Sequence, residues 1–523
     1  VPDPLAAFAS WGARPAIVFA TATWSYAELA ERVRRRADQL LAQGLAPGQV
    51  VLVPEAPVLD LLLMQHALAL LGCGLLPVAP LRAEAELATL MRLAGVEWRW
   101  QPDQTDAAGE RGWLLATGAD GRDDPSDPYW PGKPMPPRCG HLDPGPASRG
   151  CDDPAPAARS HAGTASGSPP RPGLNPVNDP PSGADAYRPV PTAPALIIET
   201  SGSSGAPKAV MLSPANVQAS ARVTNDLLGL GPGDAWLGCL SRCHVGGLMI
   251  GYRCALAGAT LVAHPAFDAD NLARDLERQC ITHLSLVPPM LARLLALLPG
   301  PPPGLRAVLV GGQALSGILA RQALAAGWPL RLTYGMTETC SHIALSPIPT
   351  TVPPAGWVGP PLPGVEVRCH GTPDSPAPLQ LRGPQVMVGY ADPARQPGQG
   401  LVEGWFETSD LGYLTPEGEL TVVGRADQLL VIGGEAVLPS RVEEQLLAAP
   451  GVSAAVVVGL ADPVWGHRLV AAYTGDLTPP ALEAWCRRHL SDRERPRGFH
   501  RLAAFPLLAS GKPDLRAIKD QLA

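Results

Sequence analysis

The chain has 523 residues, 46% of them hydrophobic and 17% charged, with a formal net charge of −7 and a sequence pI near 5.9. This length allows two or more domains with sizeable cores, and the acidic balance excludes a nucleic-acid polyanion as partner. A membrane span and a disulfide framework are excluded as well: the apolar run 59–71 is short and interrupted by Asp60, Gln65 and His66, and the ten cysteines form no C-x-x-C pair.

Residues 1–10 lack the basic start and cleavable apolar core of a secretory signal, so reduced thiols and a cytoplasmic location are expected. From there to residue 101 strand and helix signals alternate. The apolar runs 16–19, 50–53 and 74–78 read as buried strands. Ser25 with Glu28 three residues on is a capping box that opens a helix towards Leu41, and 59–71 is the next helix. This alternation predicts a layered α/β domain with largely parallel sheets. The order breaks at 121–190, where 17 prolines and 9 glycines among 70 residues leave almost no large aliphatic side chains. Such a tract cannot build a core and is expected to be a low-complexity insertion, about 102–190, in a large domain spanning 1–424. Cys139, His141, Cys151 and His161 fall inside it at irregular spacing and are not expected to make a metal site.

From 191 to 424 the α/β pattern returns, with strands at 195–198, 209–212, 236–240, 259–262, 284–287, 307–310 and 330–334, each ending in glycine, proline or polar residues. In open α/β sheets ligands bind at the carboxyl ends of strands, so these endings are expected to face one cleft. After Asp427 the pattern changes to a tail of short strands at 428–432, 454–459 and 469–473 and helices at 440–447 and 478–490, read as a small mobile α+β lid domain spanning 425–523.

Between the strands at 195–198 and 209–212 lie Thr200, Ser201, Gly202, Ser203, Ser204, Gly205 and Lys208. Glycines let backbone amides approach an anion, hydroxyls donate to it, and the lysine supplies a mobile charge, which together is phosphate-binding chemistry. The spacing is not G-x-x-x-x-G-K-[ST], because Lys208 follows a proline and precedes Ala209, so a Walker-type NTPase is not expected. Further on come Tyr334-Gly335-Met336-Thr337-Glu338, with Thr337 placed 129 residues after Lys208, then Asp410 in a Gly404–Gly412 stretch, Gly424-Arg425-Ala426-Asp427, and Ser510-Gly511-Lys512-Pro513.

These four motifs in this order resemble the acyl-adenylating superfamily of acyl-CoA synthetases, carrier-protein-loading adenylation domains and firefly luciferases. The resemblance implies ATP and a small-molecule acid as substrates. It implies Mg²⁺ held by Glu338, Thr337 at the phosphates, Tyr334 against the adenine, Asp410 on the ribose hydroxyls, Arg425 on ribose and phosphate, and Asp427 as the hinge. Lys512 would swing into the cleft to stabilise charge at the α-phosphate, and Gly433 and Gly434 would line a pantetheine tunnel for CoA. Cys243-His244-Val245-Gly246-Gly247, Arg253, Gly311-Gly312 and Trp465-Gly466-His467 are similar to the o-succinylbenzoate:CoA ligase family of menaquinone synthesis, which implies an acyl pocket including His244, Gly311, Gly312 and Ser341, and a homodimer. The chain departs from that family's pattern at Cys243, at Ser204 and in the long insertion. In this reading Arg253 grips the second carboxylate of a dicarboxylic acid, since a buried guanidinium holds a carboxylate in a fork; a structural arginine that reaches back to solvent is the alternative. A CoA ligase for another aryl or fatty acid, and an adenylation module that loads a carrier protein, share the same catalytic motifs.

Overall fold

The computed structural model describes residues 4–19, 22–55, 57–79, 84–105, 111–117, 194–201, 207–392, 394–506 and 513–522. Residues 202–206, Lys512, and Cys139, His141, Cys151 and His161 lie outside them.

Two sheets form the large body. The first has eight strands in the order Ser341–Leu345, Leu330–Met336, Ala307–Val310, His283–Leu286, Ala235–Gly238, Thr260–Ala263, Pro15–Phe19 and Ala22–Ser25, parallel except for the antiparallel pair at each edge. The second has seven, in the order Gly389–Tyr390, Pro207–Leu212, Leu196–Ser201, Gly74–Val78, Val50–Pro54, Trp98–Thr105 and Arg111–Ala116, and is parallel only at its centre. The sequence dictates this arrangement. Central strands such as Val50–Pro54 and Gly74–Val78 carry unbroken apolar runs because both faces are covered. The helix Val58–Leu71 buries 11 of its 14 residues, as a helix enclosed on all sides must, and one core joins it to strands of both sheets. The helix Tyr26–Ala42 begins with the predicted capping box, Ser25 accepting from the Glu28 amide while the Glu28 carboxylate accepts from the Ser25 amide at 2.7 Å.

Two parts differ from the sequence reading. The strand Trp98–Thr105 runs past residue 101 and pairs antiparallel with Arg111–Ala116, so the sheet extends into the span expected to begin the insertion at about 102. Trp100 and Leu114 are buried there and supply the apolar contacts that extend the edge. The region 357–425 is not α/β but a five-stranded sheet, antiparallel throughout, in the order Trp357–Gly359, Leu420–Arg425, Phe406–Leu414, Ala377–Arg382 and Glu366–Arg368. Its edge strands Trp357–Gly359 and Glu366–Arg368 have three residues each and are largely not buried, which leaves little periodicity to read there.

The small C-terminal part has its own core around Val442, Leu446, Val457, Leu469, Tyr473 and Leu482. It holds the hairpin Leu430–Ile432/Glu435–Val437, the sheet Val452–Asp462, Gly466–Gly475 and Gly498–Arg501, and the helices Pro439–Leu447, Pro479–His489 and Leu515–Leu522. None of the eight cysteines among the described residues forms a disulfide, and no helix among those residues is long and apolar enough to cross a membrane.

Three histidines of the body, His66, His283 and His342, are buried without an ionic partner among the described residues. His66 packs edge-on against Phe8 and Tyr252, and His283 stacks on Trp236 with its Nε2 lacking any hydrogen-bond partner. Burial pushes both down to about 4 from the usual 6.5. The folded state therefore keeps them neutral where the unfolded chain protonates them, and stability falls as pH drops through 6.5 towards about 4. His66 and His283 alone contribute a slope approaching ~2.7 kcal/mol per pH unit near pH 5, and His342, lowered by burial as well, adds to it. Urea midpoints measured at about pH 7 and about pH 5 should differ accordingly. His66→Gln should flatten the profile; an unchanged slope would show that His66 is already charged in the fold.

Candidate active site

Three sheets bring their ends to one place. The eight-stranded sheet supplies Gly311 and Gly312 after Ala307–Val310, Tyr334 in Leu330–Met336, and the 3₁₀ turn Thr337–Thr339 that carries Glu338. The seven-stranded sheet supplies the hairpin Leu196–Ser201/Pro207–Leu212, in which Thr200 pairs with Lys208. The five-stranded sheet supplies Asp410 and Arg425, which are cross-strand partners. Lys208 thus sits on a strand at the base of the hairpin rather than in the loop, its position fixed by backbone pairing.

The residues expected at the nucleotide form two linked clusters. Tyr334 donates from its hydroxyl to Asp410 Oδ2 at 2.6 Å, and Arg425 Nη1 lies 3.3 Å from Asp410 Oδ1. Arg425 also forks onto Asp427, with Nε to Oδ1 at 2.9 Å and Nη2 to Oδ2 at 2.6 Å. That fork is the main cause of the raised Arg425 pKa, and burial, followed by the Asp410 charge, raises Tyr334 well above the ordinary tyrosine value. In the second cluster Tyr390 donates to Glu338 Oε1 at 2.8 Å, and the Lys208 ammonium lies 4.8 Å from the centre of the Tyr390 ring. Arg425 is close enough to Tyr390 to lower its raised pKa, so the two clusters adjoin. Among the described residues no three His, Cys, Asp or Glu side chains gather as a metal cage. One carboxylate beside a phosphate-binding hairpin fits a Mg²⁺ that arrives with a triphosphate, since that ion keeps several waters and takes its other ligands from the phosphates.

Of the residues expected at the acyl group, Arg253, in the helix Val245–Ala257, is 2% exposed. Its Nη2 donates to Ser341 Oγ at 3.0 Å, its Nε has no partner, and the guanidinium lies 5.6 Å from the Trp236 ring. No carboxylate among the described residues is within ion-pair distance, and burial lowers its pKa to about 10. The head group does not reach back to solvent, which removes the structural alternative in that form. Cys340 and Ser341 both have positive φ, 52° and 108°, a backbone state costing about 1–3 kcal/mol per residue. Ser220 Oγ holds the Cys340 carbonyl and Thr339 Oγ1 the Ser341 carbonyl, each at 2.7 Å, and so fix the turn. Gly311 admits no side chain, because a Cβ would strike Thr333. His244 is exposed at the N-terminal end of the same helix as Arg253.

Gly433 and Gly434 form the turn of the small domain's hairpin, where Gly433 donates to the Trp465 carbonyl at 3.0 Å. The described residues therefore bring together Lys208, Glu338, Tyr334, Asp410, Arg425 and Asp427. A cavity of ≈590 Å³ belongs to the small domain, lined by Glu483, Arg487, Arg495, Arg497 and Phe499, and no signature residue borders it. Tyr390 is the site residue that sequence reasoning missed: a two-residue strand gives no periodicity, and the one available signal was a tyrosine directly after a glycine.

Fold and site together define a nucleotide-handling α/β body with a small appended domain. The chain belongs to the AMP-binding enzyme family: residues 6–391 match the AMP-binding enzyme model, and 441–512 match that of the AMP-binding enzyme C-terminal domain. It is similar to the 2-succinylbenzoate–CoA ligase of Enterococcus faecalis, 34% identical over 328 residues that make up 61% of this chain and 67% of that one. The Bacillus licheniformis 2-succinylbenzoate–CoA ligase is 34% identical over 325 residues, 61% and 68% of the two chains. Among solved structures, o-succinylbenzoate coenzyme A synthetase (MenE) from Bacillus subtilis, in complex with ATP and magnesium ion, superposes with a TM-score of 0.76 at 25% identity, covering 99% of this chain and 100% of that one.

Proposed function

We propose that the protein is an ATP-dependent acid:CoA ligase that converts 2-succinylbenzoate, ATP and CoA into 2-succinylbenzoyl-CoA, AMP and diphosphate through an acyl adenylate, in menaquinone synthesis. The observation that carries the substrate assignment is Arg253, a buried guanidinium whose Nε lacks a partner and whose Nη2 meets only a hydroxyl. A dicarboxylic acid with one reacting and one anchoring carboxylate completes its hydrogen bonding. The relatives named for that substrate support the same reading.

In the first step an oxygen of the free carboxylate attacks the α-phosphorus, and the bond to the bridging oxygen breaks to release diphosphate. Asp410 orients the ribose, with Tyr334 and Arg425 holding its two oxygens in place before the nucleotide enters. Lys208 and the hydroxyls of 200–204 hold the departing phosphates, and Lys512 stabilises charge at the α-phosphate. Glu338 would hold Mg²⁺, which supplies charge neutralisation on the triphosphate. In the second step the CoA thiolate attacks the acyl carbon and AMP leaves, after the lid (425–523) turns about Asp427 relative to 1–424. Gly433 and Gly434 then border the thiol channel. A cytoplasmic homodimer is the assembly and location this reading carries.

AMP release measured with ATP, Mg²⁺ and CoA over 2-succinylbenzoate, benzoate, succinate and a medium-chain fatty acid tests it. CoA-dependent turnover of 2-succinylbenzoate alone is expected. Turnover of a different acid would discard the substrate, and adenylate formation without transfer to CoA would discard the ligase.

A further inference from the structure

The segment 387–390 touches both halves of the phosphate-side cluster. The Met387 amide donates to the Glu338 carbonyl at 2.7 Å, and three residues on the Tyr390 hydroxyl donates to the Glu338 carboxylate at 2.8 Å. Glu338 is thereby tied to one segment through backbone and side chain alike. The Tyr390 bond engages Oε1 and is the only hydrogen bond that the carboxylate receives from the described residues. The link to Lys208 follows from register. Gly389–Tyr390 pairs antiparallel with Pro207–Leu212, setting Tyr390 opposite Val210. Lys208, two residues before Val210, is then the diagonal neighbour on the same face, within reach of a long side chain. The ammonium accordingly lies over the aromatic face, at a distance where a cation and a ring quadrupole attract. The ring also packs against Gly400, whose φ is 84° and where a Cβ would strike it.

We propose that Tyr390 is a positioning residue for the leaving diphosphate: its hydroxyl aims the Glu338 carboxylate so that one oxygen faces the metal carried by ATP, while its ring holds the Lys208 ammonium at the phosphates. The inference rests on the assignment of Glu338 as the Mg²⁺ ligand made above. Both groups act through this one side chain, which couples the metal position to the phosphate-loop lysine before substrate arrives. The second half-reaction involves no triphosphate and so does not depend on Tyr390.

Tyr390→Phe keeps the ring under Lys208 and removes only the hydroxyl. Equilibrium binding of ATP, titrated with Mg²⁺ and read by calorimetry, is expected to need about tenfold more Mg²⁺ for half-saturation in this variant, the effect of losing one charge-assisted hydrogen bond. Metal-free ATP binding should stay within about twofold, since the cation–ring contact survives, whereas Tyr390→Leu should weaken it too. Thioester formation from supplied acyl adenylate should be unchanged. Glu338→Gln, run in parallel, separates the two assumptions. If Glu338→Gln shifts the Mg²⁺ requirement and Tyr390→Phe does not, the positioning role is overturned. If neither shifts it, Glu338 is not the metal ligand and the role falls with that assignment. Equal losses in both half-reactions for Tyr390→Phe would mark a merely structural tyrosine and overturn the proposal as well.

Discussion

Arg253→Met is expected to raise the KM for 2-succinylbenzoate by about 10²-fold while leaving the free protein as stable as the parent or more so. Both halves follow from the same geometry. The guanidinium is 2% exposed, donates one hydrogen bond to Ser341, and has no carboxylate partner among the described residues. A buried charge without a counter-ion costs several kcal/mol of desolvation, and the cation–π contact with Trp236 returns about 1–2 of them. Methionine fills a similar volume without the charge, so urea unfolding of the free protein should shift towards higher denaturant or not at all. The ligand-bound state behaves in the opposite way, because an anchoring carboxylate that has left water would find no cation. Benzoate, which lacks that group, provides the internal control: its turnover, however slow, should be unaffected. Loss of stability with an unchanged KM would make Arg253 a packing residue and remove the substrate assignment along with it.

The sequence carried the scaffold of the body and the identity of the charged residues, while the contacts among them needed the fold. Ser25 and Glu28 were legible because a capping box is local, and 50–53, 59–71 and 74–78 because buried runs leave a continuous apolar signal. The sheet between 357 and 425 was not, since three-residue strands such as Trp357–Gly359 and Glu366–Arg368 are held by partners distant in sequence. The site follows the same division. Asp410 and Arg425 were named separately from a motif; that they are cross-strand neighbours, and that Arg425 spends its fork on Asp427, is a consequence of register. Tyr334 was expected against an adenine, and its hydroxyl is committed to Asp410, which leaves the ring face for that role. Arg425 thus bridges Asp410 and Asp427, so whatever takes up Asp410 also changes the balance at Asp427.

Lys512→Ala should slow adenylate formation by about 10² to 10³, ~3–4 kcal/mol of transition-state stabilisation, and leave thioester formation from a supplied acyl adenylate close to the parent rate. Lys512 directly precedes the described segment 513–522, whose helix Leu515–Leu522 buries Ile518 and Leu522 against Val456, Val458 and Val470 of the small domain. In sequence the lysine stands three residues before that helix. Gly433 and Gly434 are on the same domain, in a hairpin joined to Trp465 of the neighbouring turn. In the proposed mechanism one domain carries both the charge needed at the α-phosphate and the bare backbone needed beside the thiol. If that domain presents these by turning about Asp427, each half-reaction uses one and is indifferent to the other. Rapid-quench measurement of the two steps separately decides it: a selective loss in the first places Lys512 at the developing phosphate charge. Equal losses in both would mean that the lysine holds the domain together, and would withdraw its assignment to catalysis.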